Sequence, residues 1–213
     1  LVDARQTING VSDQILLDPP VKSLVARLEL AELAQIEVAA GKVWATAVSP
    51  ESSTIAVGGR RGFVQILDLT TGKQVAELDG HPATVDCLEF SRDGRLIATG
   101  GWRSKEVIVW QADDGAQKNS FEADGNIRSI AFSPNGKRLA AGCDDQLLVV
   151  WDIESGDLVK KINAHAQPVY DVSYSPDGKT IATCCGDWTV AKPGRIKLWK
   201  ADSLTEIARL DGH

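Results

Sequence analysis

The sequence predicts an all-β fold of four-stranded antiparallel sheets repeated in tandem, and three observations carry that reading. Ser49, Ser91, Ser133 and Ser175 recur every 42 residues, each opening a turn after a short apolar run: Ser-Pro-Glu-Ser, Ser-Arg-Asp-Gly, Ser-Pro-Asn-Gly and Ser-Pro-Asp-Gly. A fixed period of this length marks a stacked repeat architecture. A second ruler agrees: Leu67, Trp110, Trp151 and Trp199 each stand 14 residues before His81, Asp124, His165 and His213. Third, the runs between these landmarks are short, β-rich and bounded by Gly, Asp, Asn and Pro, as strands and hairpins are.

The second unit shows the order of elements. Residues 85–90 read as a strand, Ser91 to Gly94 as a hairpin turn, and 96–99 as a second strand. A loop carrying Trp102 follows, then a third strand over 107–110, the turn Asp113-Asp114-Gly115, and a fourth strand over 118–121. The same order recurs, giving units at about 43–78, 85–121, 127–162 and 169–210. Four short strands per unit without helices describe the blades of a β-propeller.

Here the residues resemble the WD-repeat family of propellers. The matching motifs are Gly80-His81 and Gly212-His213, Ala164-His165, the Ser-Pro-Asp-Gly turns, the third-strand tryptophans and the literal Trp151-Asp152 pair. The resemblance spans residues 31–213 and is specific because it repeats. It implies a buried hydrogen-bond network in each blade joining the turn histidine, a second-strand Ser or Thr, an Asp in the next loop and the Trp. By position, the last unit carries the full set, His165, Thr183, Asp187 and Trp199. The second keeps His81, Thr99 and Trp110 without the Asp. The third keeps Asp145 and Trp151, with Asp124 in place of the His. The first, with Ala39, Val57, Arg61 and Leu67, has none. The last blade is thus expected to be the most rigidly specified.

Thr, His and Asp together also suit a nucleophile–base set. The structural reading is stronger, because a buried histidine needs partners for both ring nitrogens and a buried indole needs one for its N–H. Gly178-Lys179-Thr180 copies the end of a phosphate-binding loop, but Ser173 stands where its first glycine belongs. Gly59-Arg60-Arg61-Gly62 reads as a solvated basic turn. No acid/base pair, cofactor motif or metal-ligand spacing emerges. Cys184 and Cys185 are adjacent and would point to opposite faces of a strand, so they cannot jointly grip a metal. They, Cys87 and Cys143 read as small buried hydrophobes, suited to a reducing compartment such as the cytoplasm.

The net charge of −6 and the pI near 5.1 argue against nucleic acid or an anionic membrane as the default partner. No apolar run approaches the roughly 18 residues a membrane span needs. Methionine is absent even at position 1, and the chain stops at Asp211-Gly212-His213, the counterpart of Asp79-Gly80-His81. The expectation is a piece of a longer protein. Residues 1–30 form an unassigned extension, and 31–37 lie in phase with the fourth strands, as a strand for a blade that this chain lacks.

Four blades leave the ring problem. The family usually closes with about seven, and an open arc would leave apolar faces in water, where large patches are rare. Either further blades of the parent chain complete the ring, or two copies close an eight-bladed one by twofold symmetry.

In propellers of this family one rim is shared by the loops into the first strand and those between the second and third. At the 42-residue period that rim holds Trp44, Asp86, Arg128 and Tyr170, preceded by Lys42, Thr84, Asn126 and Pro168. The loops add Trp102, Arg103, Asp144 and Trp188. Trp, Tyr and Arg dominate binding hot spots. The expected function is a non-enzymatic scaffold that binds a protein or peptide through this rim. The rivals are a sensor or autoinhibitory array in a multidomain signalling protein, and a ligand-binding or catalytic central channel. The channel would need polar groups on the innermost strands, which read as Val, Ile, Ala and Leu.

Overall fold

The computed structural model describes residues 42–186 and 194–211. The strand expected at 31–37, the extension before it, Asp187, Trp188 and His213 lie outside the described residues. The described chain forms four separate four-stranded antiparallel sheets, each a meander in which every strand pairs with the next. The first sheet is β1 (Val43–Val48), β2 (Thr54–Gly59), β3 (Val64–Asp68) and β4 (Gln74–Leu78). The second is β5 (Cys87–Phe90), β6 (Leu96–Gly100), β7 (Glu106–Gln111) and β8 (Gln117–Glu122). The third is β9 (Ile127–Phe132), β10 (Arg138–Cys143), β11 (Leu147–Asp152) and β12 (Leu158–Asn163), and the fourth β13 (Val169–Tyr174), β14 (Thr180–Cys185), β15 (Arg195–Lys200) and β16 (Glu206–Asp211). Strands β1, β5, β9 and β13 adjoin one another in turn, so the first strand of each sheet is innermost. This is the arrangement of propeller blades.

The hairpin between the first and second strands explains the serine period. Ser91, Ser133 and Ser175 each donate a hydroxyl hydrogen bond to the acid or amide two residues on, at 2.6 to 2.7 Å. Each also accepts the N–H five residues on, at 2.9 to 3.0 Å. Gly94, Gly136 and Gly178 close these turns at φ between 68° and 70°, where a Cβ would be strained. The first turn has neither the Asp nor the Gly, and the hydroxyl of Ser49 is buried without a partner.

Side-chain packing holds the sheets to each other. Along a third strand alternate residues face opposite neighbours. Val107 and Val109 of β7 pack toward the third sheet while Ile108 and Trp110 pack toward the first. Leu148 and Val150 of β11 pack on Val169, Val172 and Ile181 of the fourth. The closest approach repeats: a Cβ on Gly58, Gly100 or Gly142 would stand 2.7 to 2.8 Å from the branched side chain of Val85, Ile127 or Val169, the residue opening the next sheet's inner run.

The expected strand at 85–90 begins two residues later, at Cys87. Val85 stands outside the ladder and donates its N–H across to Gly59 O of the first sheet (3.0 Å). The other three sheets show a register shift at the same place. At the ends of the arc apolar side chains are less covered. Ile196 and Leu198 of β15 are half-buried where Leu148 and Val150 of β11 are fully buried, and Val48 is 60% exposed where Phe90 and Phe132 are buried.

Because the glycine notch leaves no room, Gly100→Val is expected to cost about 1–3 kcal/mol by overpacking against Ile127. Urea unfolding measures it, and an unchanged midpoint would disprove the close approach.

Candidate functional site: the loop rim and the axis

In the fourth blade, Thr183 Oγ1 lies 2.7 Å from His165 Nε2 and accepts the Trp199 indole N–H at 2.8 Å. Burial, aided by the Lys197 charge, pushes the His165 imidazole down to about 4, so it is neutral. The second blade keeps only part of this arrangement. Trp110 donates to Thr99 Oγ1 at 2.8 Å, but Thr99 turns its own proton to Ile108 O at 3.4 Å. His81 instead lies 3.0 Å from Ala83 O through Nδ1, and its Nε2 is buried without a partner. In the third blade Trp151 stacks on Phe121 at 5.5 Å, and Asp145 Oδ1 is buried and unpartnered, with its carboxyl pushed up by desolvation.

At the loop end of the inner strands, the structure brings together residues from three blades. Asp86 Oδ2 accepts the N–H of Trp102 at 2.5 Å, tying the loop after β6 to the start of β5. The Arg128 guanidinium of β9 lies over two rings, Trp102 of the second blade and Tyr170 of the fourth, 5.7 Å from each centroid. Arg103, at φ 68°, lies 4.9 Å over the Trp102 ring. Asp144 accepts from Asn126 twice, from its N–H at 2.8 Å and from Nδ2 at 2.7 Å, and stands 4.0 Å from Arg128. Trp44 is 62% exposed and Trp102 47%. Lys42 is exposed and its carbonyl accepts Arg60 N–H, while Thr84 O sits against Gly101. Arg60 and Arg61, read from sequence as a solvated turn, therefore occupy this same rim, in the connection between β2 and β3.

The inner strands also carry polar groups that the sequence reading passed over. A cavity of about 430 Å³ on the axis side is lined by Trp44, Asp86, Cys87, Glu89, Ser129, Asp171 and Ser173 among others. These strands are sheet edges, and buried backbone N–H groups along an edge need partners. Side chains of the preceding blade supply them. Glu89 Oε2 accepts Phe132 N–H at 2.7 Å, and Ser129 Oγ accepts Val172 N–H at 3.2 Å while donating to Asp171 at 2.8 Å. Burial, with the charge of Asp171 adding to it, lifts the Glu89 carboxyl from an ordinary 4.5 to about 7. The expectation of an apolar inner strand is thus corrected. The period-two alternation hides which polar positions face the axis, since outward and axial residues look alike in sequence. Nearby, burial raises the thiols of Cys87, Cys143 (to about 12) and Cys184, which keeps all three protonated.

Comparison with known proteins agrees with the repeats. The WD domain, G-beta repeat model matches residues 72–111, and that of the anaphase-promoting complex subunit 4 WD40 domain matches residues 93–176. The chain is a WD-repeat protein. Curated relatives include a WD repeat-containing protein VIP3 of Arabidopsis thaliana, 29% identical over 141 residues (60% of this chain and 44% of the relative). Another is the small ribosomal subunit protein RACK1y of Oryza sativa subsp. japonica, 31% identical over 160 residues (73% and 46%). A third is the human angio-associated migratory cell protein, 30% identical over 141 residues (65% and 32%). The WD-repeat chain thus spans less than half the length of these relatives. Among its described residues no helix is long and apolar enough to cross a membrane.

The axial carboxyl makes a stability prediction. A folded-state value raised above the unfolded one favours folding fully below about 4.5, and that contribution is lost as pH rises through 7. Glu89→Gln keeps the acceptor for Phe132 and cannot ionise. Its unfolding free energy relative to wild type is expected to rise by on the order of 2 kcal/mol between pH 5 and 8. A difference independent of pH would show that Glu89 is not buried against the axis.

Proposed function

We propose that this WD-repeat chain is a non-catalytic scaffold that holds another protein or a peptide across the rim of Trp44, Asp86, Arg128 and Tyr170, with Trp102, Arg103, Asn126 and Asp144 beside them. The observation that carries it is the Trp102–Arg128–Tyr170 stack, which joins three blades into one aromatic and cationic surface. Rigid aromatics and Arg give contact area at low entropic cost, which is why they concentrate in binding hot spots. The polar axis does not displace this reading. Glu89 and Ser129 are engaged in satisfying the backbone of the next blade, a structural duty that accounts for their place on the axis.

Peptides selected from a random display library against the chain test the rim. Trp44→Ala with Arg128→Ala is expected to abolish their capture with thermal unfolding unchanged. Capture that survives the double substitution removes the rim from the proposal.

The half-buried Ile196 and Leu198 and the exposed Val48 at the ends of the arc favour a ring completed by further blades of the parent chain or by a second copy. Light scattering separates the two: a monomeric 213-residue chain rules out the two-copy ring, and a stable dimer supports it.

A further inference from the structure

The chemistry of the rim indicates what kind of partner it takes. Its acids Asp86 and Asp144 already have internal duties, while Asp145 beside them is buried with Oδ1 unpartnered. Asp86 receives the Trp102 N–H, and Asp144 receives both donors of Asn126. The nearest carboxylate oxygen to Arg128, Asp144 Oδ2, stands 4.0 Å away, beyond hydrogen-bond reach. Arg128 Nε is buried with no partner. A guanidinium carries five donors in a planar fork, and this one lies 5.7 Å from the centroids of two aromatic rings with its Nε unpartnered. Contact with both rings restricts the side chain, so less rotamer freedom is lost when an anion binds it. Around it the rim presents more cations than free anions. Arg103 lies over the outer face of Trp102, and Lys105, Arg60 and Arg61 are exposed in the corresponding connections of the second and first blades.

We propose that Arg128, beside the rings of Trp102 and Tyr170, is a carboxylate-reading subsite, and that the partner segment is an acidic peptide whose Asp or Glu side chain pairs with it. The inference rests on the rim reading and narrows it. Arg60, Arg61 and Arg103 supply the surrounding positive field, and Trp44 offers apolar area beside the contact. A bidentate carboxylate would satisfy two of the Arg128 donors at once, the strongest geometry available to that side chain. An acidic peptide is preferred over nucleic acid because the chain as a whole carries a net charge of −6, which repels a long polyanion while a local cluster can still capture a short one.

Fluorescence anisotropy on the 213-residue chain provides the test, with three probes: a short glutamate-rich peptide with blocked ends, its glutamine counterpart, and a poly-thymidine single strand. The glutamate peptide is expected to bind, and the glutamine peptide to bind at least about tenfold more weakly. Arg128→Lys keeps the charge but loses the fork, and should weaken the glutamate peptide by about tenfold. Arg61→Glu, on the exposed turn, should weaken it further as salt falls. No binding of the glutamate peptide, equal binding by Arg128→Lys, or tighter binding of the oligonucleotide would overturn the carboxylate subsite. If the glutamine peptide binds equally and Trp44→Ala with Arg128→Ala abolishes that binding, the rim stands and the carboxylate preference falls. Glutamate-peptide binding that ignores the double substitution overturns both.

Discussion

Among the described residues neighbouring sheets share no strand ladder, and the rest of the structure follows from that constraint. What joins them is side-chain packing, with Val85, Ile127 and Val169 each seated against a glycine of the sheet before. Interiors are packed as densely as crystals, so the glycine notch sets the spacing between blades to within a methyl group. Each inner strand is left as an edge whose N–H groups point toward the axis. Glu89 and Ser129 reach from one blade to cap the edge of the next. The polarity of the axis is therefore a requirement of the architecture, and the displaced titration of Glu89 is its cost.

The same spacing builds the rim. Arg128 is the second residue of β9, Trp102 belongs to the loop of the preceding blade, and Tyr170 is the second residue of β13 of the following one. They are distant in sequence, and the fixed stagger between blades places all three within one stack. Beside it Asp86 and Asp144 accept from backbone and amide donors, while Arg103 and Lys105 are exposed.

Blades differ in how completely they are locked. The fourth joins His165, Thr183 and Trp199 through one hydroxyl, whereas in the second that hydroxyl is spent on Ile108 and His81 stands apart. The Trp-to-Thr bond recurs in both because the two residues lie on paired strands, Thr99 beside Ile108 and Thr183 beside Lys197. The histidine arrives from a loop outside the sheet, so its place depends on how that loop folds.

Local, repeated chemistry was legible from residues alone. The Ser–Asp and Ser–Asn turns, the left-handed glycines, the sheet order and the apolar third strands all depend on neighbours a few residues apart, and the 42-residue period repeated them, the turns and glycines three times. Three things depended on the assembled arc. The second sheet's inner strand begins at Cys87, and Val85 before it gives its N–H to Gly59 of another sheet. Glu89, Ser129 and Asp171 resemble ordinary outward polar positions until curvature turns them to the axis. Arg60 and Arg61 read as a solvated turn until the β2–β3 connection is seen on the same rim as Arg103 and Arg128. Periodicity encodes which residues share a strand face, but which blade that face meets, and at what distance, is decided by packing between sheets that no local pattern records.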